Sequence, residues 1–231
     1  MRLLAHTCVE KLTLPFRPSP TPPFADCSDG WDRTSGLTSL ALLLIDPHYR
    51  TLAGLCSLLA REWCNFGHRF GKRNGTGVGE GHGREDARDD QRAPIFLQFV
   101  DALWQITRQH PTAFEFNDRV LAALADHSYS GAFGTFLMDC EADRASAGFA
   151  SAGGSLSLWD VLLNPATRAS YVNPLFVAPA LGSAAGGSGS GTPAAAAASA
   201  TPLLPSRQHY LPLLTDVRDV QVWPRWVLVF Q

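Results

Sequence analysis

With 231 residues, 45% of them hydrophobic and 17% charged, the chain is long enough to bury a core and is neither disordered throughout nor fibrous. Its formal net charge of -2 argues against a global nucleic-acid binder, so any polyanion site has to be a local basic pocket. Cys8, Cys27, Cys56, Cys64 and Cys140 stand at irregular spacings with no CxxC pair and no histidines at zinc-finger distances; neither a disulfide framework nor structural zinc is expected, and a reducing, intracellular compartment is.

The opening MRLLAHTCVEKLTLPF is interrupted by Glu10 and Lys11 and is followed by no small-residue cleavage pattern, so it reads as no targeting signal. Prolines at 15, 18, 20, 22 and 23 make the next stretch an extended linker. Leu37 to Ile45 is apolar almost all round, which predicts a helix buried on every side and stopped by Asp46-Pro47. Its run LALLLI is far short of the roughly 20 residues that cross a bilayer. Leu52, Leu55, Leu58, Leu59, Trp63 and Phe66 recur at helical spacing and predict a second helix to about Gly67.

Residues 74–92 combine glycines with mixed charge and read as a solvated loop rather than a phosphate-binding glycine turn. Pro94 suits a first helical position, and Ile95, Phe96, Phe99, Val100, Leu103, Trp104 and Ile106 follow as an amphipathic helix whose aromatic stripe is core. Asn117 caps a further helix through Leu121, Leu124 and Ala125, after which Tyr129 to Phe136 turns on glycines. Residues 182–201 are low complexity and separate a last segment ending VWPRWVLVF; no internal repeat is visible.

The chemistry concentrates in Cys27-Ser28-Asp29-Gly30-Trp31-Asp32-Arg33-Thr34, a cysteine loop feeding a helix N-terminus. Backbone N–H groups pointing into such a loop, together with the positive end of the helix dipole, cradle a phosphate dianion, and the same field lowers a thiol pKa. A Cys27 thiolate can attack phosphorus while Arg33 binds two equatorial oxygens through its planar fork, a geometry lysine does not offer. A cysteine and an arginine six apart also occur by accident, and Cys27 alone reads as an inert buried thiol. Among the five cysteines only Cys27 has an arginine at that position.

CSDGWDRT resembles the active-site signature of the myotubularin phosphoinositide phosphatases, a branch of the cysteine-dependent phosphatases. Residues 36–73 and 92–144, including FLQFVDALWQITRQHPTAFEFN and FGTFL, read like the helical C-terminal portion of that family's phosphatase domain. SLWDVL at 157–162, NPLF at 173–176 and the tryptophan-containing end are weaker echoes. The resemblance implies an α/β cysteine-dependent phosphatase fold, here a truncated and mainly α-helical C-terminal portion. It divides the chain into a Pro-rich leader (1–26), a partial phosphatase domain (27–178, with the loop 74–92), a linker (179–206) and a last phosphatase segment (207–231).

The implied activity is removal of the 3-phosphate from phosphatidylinositol 3-phosphate and phosphatidylinositol 3,5-bisphosphate, with no metal or organic cofactor. The implied partner is a phosphoinositide head group at the cytosolic face of endosomal membranes, with homo- or hetero-oligomerisation with a relative and no nucleic acid. Cys27 matches the family nucleophile and Arg33 its phosphate-binding arginine. Asp32 matches a carboxylate proposed as general acid; the alternative is a structural carboxylate bracing the loop. Ser28, Gly30 and Trp31 fall in the substrate-binding loop, and Asp29 either holds the inositol ring or caps backbone donors. Arg69 and Arg73 lie on one face if the helix continues through Gly67 and Gly71, and match arginines that engage a second inositol phosphate; the alternative is an exposed basic turn. His68 reads as a packing or hydrogen-bonding residue rather than a base.

The family places an apolar parallel strand and a histidine directly before the nucleophile, where this chain has Pro22-Pro23-Phe24-Ala25-Asp26. No central strand can be built from that run, and Asp26 beside the thiol opposes thiolate formation. Nothing in residues 1–26 corresponds to the family's lipid-binding domain or to most of its sheet, so the helices are expected to expose the face normally buried on that sheet. A second, noncatalytic reading follows: a scaffold that binds phosphoinositide or a full-length relative.

Overall fold

The computed structural model describes residues 30–76, 91–149, 154–179 and residue 211. Helix α1 (Arg33–Ile45) begins inside the signature octapeptide, four residues before its apolar run, and from Thr34 to Ile45 none of its residues is fully exposed. Its end is set by Asp46, whose N–H donates to the Leu42 carbonyl and whose side chain accepts from His48 N (2.8 Å), opening a 3-10 turn over Pro47–Arg50. Proline at the first position of that turn needs no N–H partner, so the expected stop is also a start.

The second predicted helix divides. Helix α2 (Leu52–Leu59) is capped by Thr51, whose hydroxyl accepts from Gly54 N, and by Glu115, whose carboxylate accepts from Leu52 N (2.7 Å). It then widens into a π-helical turn, Ala60–Asn65, in which Phe66 N donates to Arg61 O and His68 N to Trp63 O. Five-residue spacing of these bonds rotates the chain relative to a regular helix and leaves carbonyls to be satisfied elsewhere. Buried Arg144 does so, donating from Nη2 to Cys64 O and from Nη1 to Leu137 O. Gly67, at φ +81, ends the element; a left-handed backbone there suits glycine.

A short helix, α3 (Phe70–Asn74), follows, so Arg69 and Arg73 are not on one uninterrupted helix as expected: Arg69 caps α3 and Arg73 is in its last turn, its N–H donating to Arg69 O (2.8 Å). Helix α4 (Ile95–Gln109) runs as its periodicity predicts, with Pro94 one residue before the first helical position rather than in it. Helix α5 (Asp118–Ser130) is capped by Asn117 and closed by Gly131 at φ +67; Tyr129 and Ser130, expected in the turn, complete the helix instead. A 3-10 turn at Gly134–Phe136 and helices α6 (Glu141–Ser146), α7 (Leu158–Leu163) and α8 (Pro165–Arg168) complete the described structure.

Helix α4 packs between α1 and α5, and α2 packs against the π turn and α7. Trp63, fully buried on the π turn, lies at the centre: its ring meets those of His68, Phe96 and Phe99 at 4.8, 4.9 and 5.1 Å, and its Nε1 donates to Ser39 Oγ of α1 (3.1 Å). Among the described residues there is no strand; the one bridge pairs Phe116 with Val172, and Asn173 of NPLF fastens that crossing by donating to the carbonyls of Pro111 and Phe114. The half-buried Leu37, Leu42 and Ile45 mark the least covered side of α1, and Leu211 adds its N–H to Leu44 O.

Candidate active site

Of the residues the sequence singles out, Gly30, Trp31, Asp32, Arg33, Arg69 and Arg73 fall within the described structure; Cys27, Ser28 and Asp29 lie outside the described residues, as do most of the expected leader, loop and linker. Gly30 takes φ +79, and with open space where a side chain would stand it turns the chain into α1. Arg33 is exposed on the first turn of α1.

Asp32 is the N-cap of α1, yet its side chain caps none of the first amides. The carboxylate is turned toward the segment after the π turn. Arg73 grips it through Nη2 to Oδ2 at 2.7 Å and Nε to Oδ2 at 3.1 Å, a planar fork on a carboxylate. His68 Nδ1 stands 3.1 Å from Oδ1 and 3.1 Å from the Trp31 carbonyl. Arg69 lies over the Trp31 ring, its guanidinium carbon 3.9 Å from the centroid. The octapeptide's end and residues 68–73, apart in sequence, are therefore locked together by three side chains.

Burial pushes the Asp32 carboxyl up, but the hydrogen bonds from His68 and Arg73 and the charge of Arg73 outweigh it, leaving Asp32 below the ordinary carboxylate value of 3.8. A depressed value stabilises the folded state above the unfolded pKa, and that contribution disappears as the pH falls through the folded value. Asp32→Asn is accordingly expected to lower stability at pH 7 and to flatten the loss of stability below about pH 4. Thermal melting of both proteins from pH 3 to 7 checks this; parallel curves would refute it.

The arginine-bearing segment is held from behind by residues that no sequence spacing connects to it. Met138 adopts φ +65, its carbonyl accepts from Gly71 N, and the Asp139 carboxylate accepts from Lys72 N (3.0 Å). Arg73 Nη1 in turn donates to Gln91 O (2.8 Å). A left-handed methionine is strained, so Met138→Gly is expected to stabilise the protein by about 0.5–1 kcal/mol, measured by chemical denaturation. A loss of stability would show that the methionine side chain matters more than its backbone.

Cys56 and Cys64 are buried, and burial pushes both thiols up to about 12, so neither supplies a thiolate near neutrality.

Residues 22–145, more than half of the chain, match the myotubularin-like phosphatase domain family. The chain belongs to that family. It is 47% identical over 150 residues to the myotubularin of Rattus norvegicus, covering 65% of this chain and 23% of that protein. It is 46% identical over 152 residues to the phosphatidylinositol-3,5-bisphosphate 3-phosphatase MTMR2 of Gallus gallus, covering 66% of this chain and 25% of that protein. Myotubularin of Xenopus laevis is 45% identical over 150 residues. The chain thus spans about a quarter of the length of the curated relatives it matches. The myotubularin match includes the octapeptide, α1 to α5 and the Arg69–Arg73 segment, so the clamp around Asp32 lies wholly within the family region.

Proposed function

We propose that the chain is a phosphoinositide 3-phosphatase of the cysteine-dependent type, built on the helical C-terminal part of an α/β phosphatase domain, acting on phosphatidylinositol 3-phosphate and phosphatidylinositol 3,5-bisphosphate. The observation that carries this reading is the clamp on Asp32: an otherwise costly array of charges around the octapeptide, at the mouth of a buried helix, in a chain of this family. Cys27 attacks the phosphorus, forming an S–P bond as the P–O bond to inositol breaks, and Arg33 binds the equatorial oxygens while charge redistributes. The leaving inositol oxygen takes a proton, and water then cleaves the phosphocysteine, releasing inorganic phosphate and regenerating the thiol.

Asp32 braces the loop in the free protein, where Arg73 and His68 favour its ionised form. Acting as general acid requires a phosphate dianion nearby to raise its pKa. Trp31 Nε1 and Thr34 Oγ1 are buried with no hydrogen-bond partner among the described residues, and both are donors beside the loop. Ser28, Asp29 and Gly30 take part in substrate binding, and Arg69 and Arg73 engage a second phosphate. The site of action is the cytosolic face of endosomal membranes.

The Asp32 carboxylate, held ionised by Arg73 and His68 rather than poised to donate a proton, favours a second reading, in which the chain binds phosphoinositide or a longer relative without turnover. Vesicles containing phosphatidylinositol 3-phosphate separate the two. Phosphate release supports the enzyme, whereas vesicle binding without release from a folded sample supports the binder.

A further inference from the structure

We infer that His68 is a positioning residue, whose Nδ1–H bridges the Trp31 carbonyl and the Asp32 carboxylate and thereby fixes the turn that joins the cysteine loop to α1. His68 is 0% exposed and is packed edge-on against Trp63 and Phe70, with ring centroids 4.8 and 4.7 Å away. Both groups facing Nδ1 are acceptors, one 3.1 Å away on the backbone and one 3.1 Å away on the carboxylate, so the proton belongs on Nδ1. Nε2 is buried with no hydrogen-bond partner among the described residues. An orphaned ring nitrogen among aromatic side chains costs stability that a phenylalanine in the same space would avoid. The return for that cost is at Nδ1, on two consecutive residues of the signature.

The backbone is arranged to deliver this contact. The π turn lets His68 N donate to Trp63 O (2.9 Å), and Gly67 at φ +81 turns the next residue back beneath the octapeptide. Arg73 fixes the same carboxylate from the other side, and Ser35 Oγ donates to the same Trp31 carbonyl at 3.1 Å. His68 alone among these touches both residues. Its removal leaves Asp32 anchored by Arg73 alone and the Trp31 carbonyl held by Ser35 alone. A displacement of roughly 1 Å at such a distance from the chemistry costs up to about a hundredfold in rate.

The catalytic consequence rests on the phosphatase reading; the hydrogen-bond arrangement does not. Nitrogen NMR of the full chain labelled at histidine is expected to show the His68 proton on Nδ1 and none on Nε2. In phosphate release from phosphatidylinositol 3-phosphate vesicles, His68→Phe, which keeps the ring volume, is expected to lower kcat by roughly tenfold or more while KM shifts less than about threefold. His68→Asn, whose amide nitrogen can stand where Nδ1 stands, is expected to recover part of that loss. His68→Gln, whose amide reaches the Nε2 position, is not. A proton on Nε2, a phenylalanine variant with unchanged kcat, or better recovery by glutamine than by asparagine each overturns the inference. If the unsubstituted chain releases no phosphate, the phosphatase reading fails, and the nitrogen spectrum alone decides the bridge.

Discussion

Replacing Cys27 with serine is expected to reduce phosphate release from phosphatidylinositol 3-phosphate by roughly a thousandfold or more, with vesicle binding retained. The reason is chemical: a hydroxyl ionises far less readily than a thiol, and Asp32, one of the two carboxylates in the signature, is engaged by Arg73 and His68 rather than free to deprotonate it. Neither buried thiol can substitute, since burial holds Cys56 and Cys64 near 12. The substitution exchanges one sulfur for one oxygen, and melting temperature serves as the control. Equal release rates from the two proteins would remove the cysteine-dependent mechanism, whatever the lipid.

The largest effect on stability is expected at Trp63. Truncation to alanine empties the space shared by α1, α4 and the π turn, where the indole meets the rings of His68, Phe96 and Phe99 within 5.1 Å. Loss of buried apolar surface together with the cavity left behind costs about 3–5 kcal/mol, and Ser39 loses the indole donor that now reaches its hydroxyl. Chemical denaturation measures this directly. Phe66→Ala, three residues along but 65% exposed, is the matched control and is expected to change stability by less than about 0.5 kcal/mol. A Trp63→Ala cost no larger than the Phe66→Ala cost would place the core elsewhere. Because the same cluster holds His68 under Asp32, the Trp63 variant is also expected to lose the bridge to the signature.

The helices were legible wherever a local rule governs them. Asp46-Pro47 stops α1 because proline cannot continue its hydrogen bonding, and Asn117 starts α5 because its side chain can accept from Arg119 N. The sequence did not show that the helix after Leu52 widens at Ala60, since apolar spacing through Trp63 and Phe66 is compatible with either bonding pattern. That difference decides the site: a regular helix through Gly67 would have carried Arg69 and Arg73 out along one face. With the π turn and left-handed Gly67, one stacks on Trp31 and the other grips Asp32.

The roles of Met138, Asp139 and Arg144 were illegible for another reason. Asp139 bonds Lys72 and Arg144 bonds Cys64 across 67 and 80 residues, and long-range capping by one side chain leaves no periodic trace. His68 was legible only as a buried polar residue. What it bonds to depends on the π turn, which the spacing did not reveal.

The most direct test of the account is rapid quenching of the protein during turnover of phosphatidylinositol 3-phosphate, followed by mass spectrometry of its cysteine peptides. Phosphate is expected on Cys27 and absent from Cys56, Cys64 and Cys140, and absent altogether from the Cys27→Ser protein. Steady phosphate release with no phosphorylated Cys27 peptide, or with the phosphate on another residue, would contradict it.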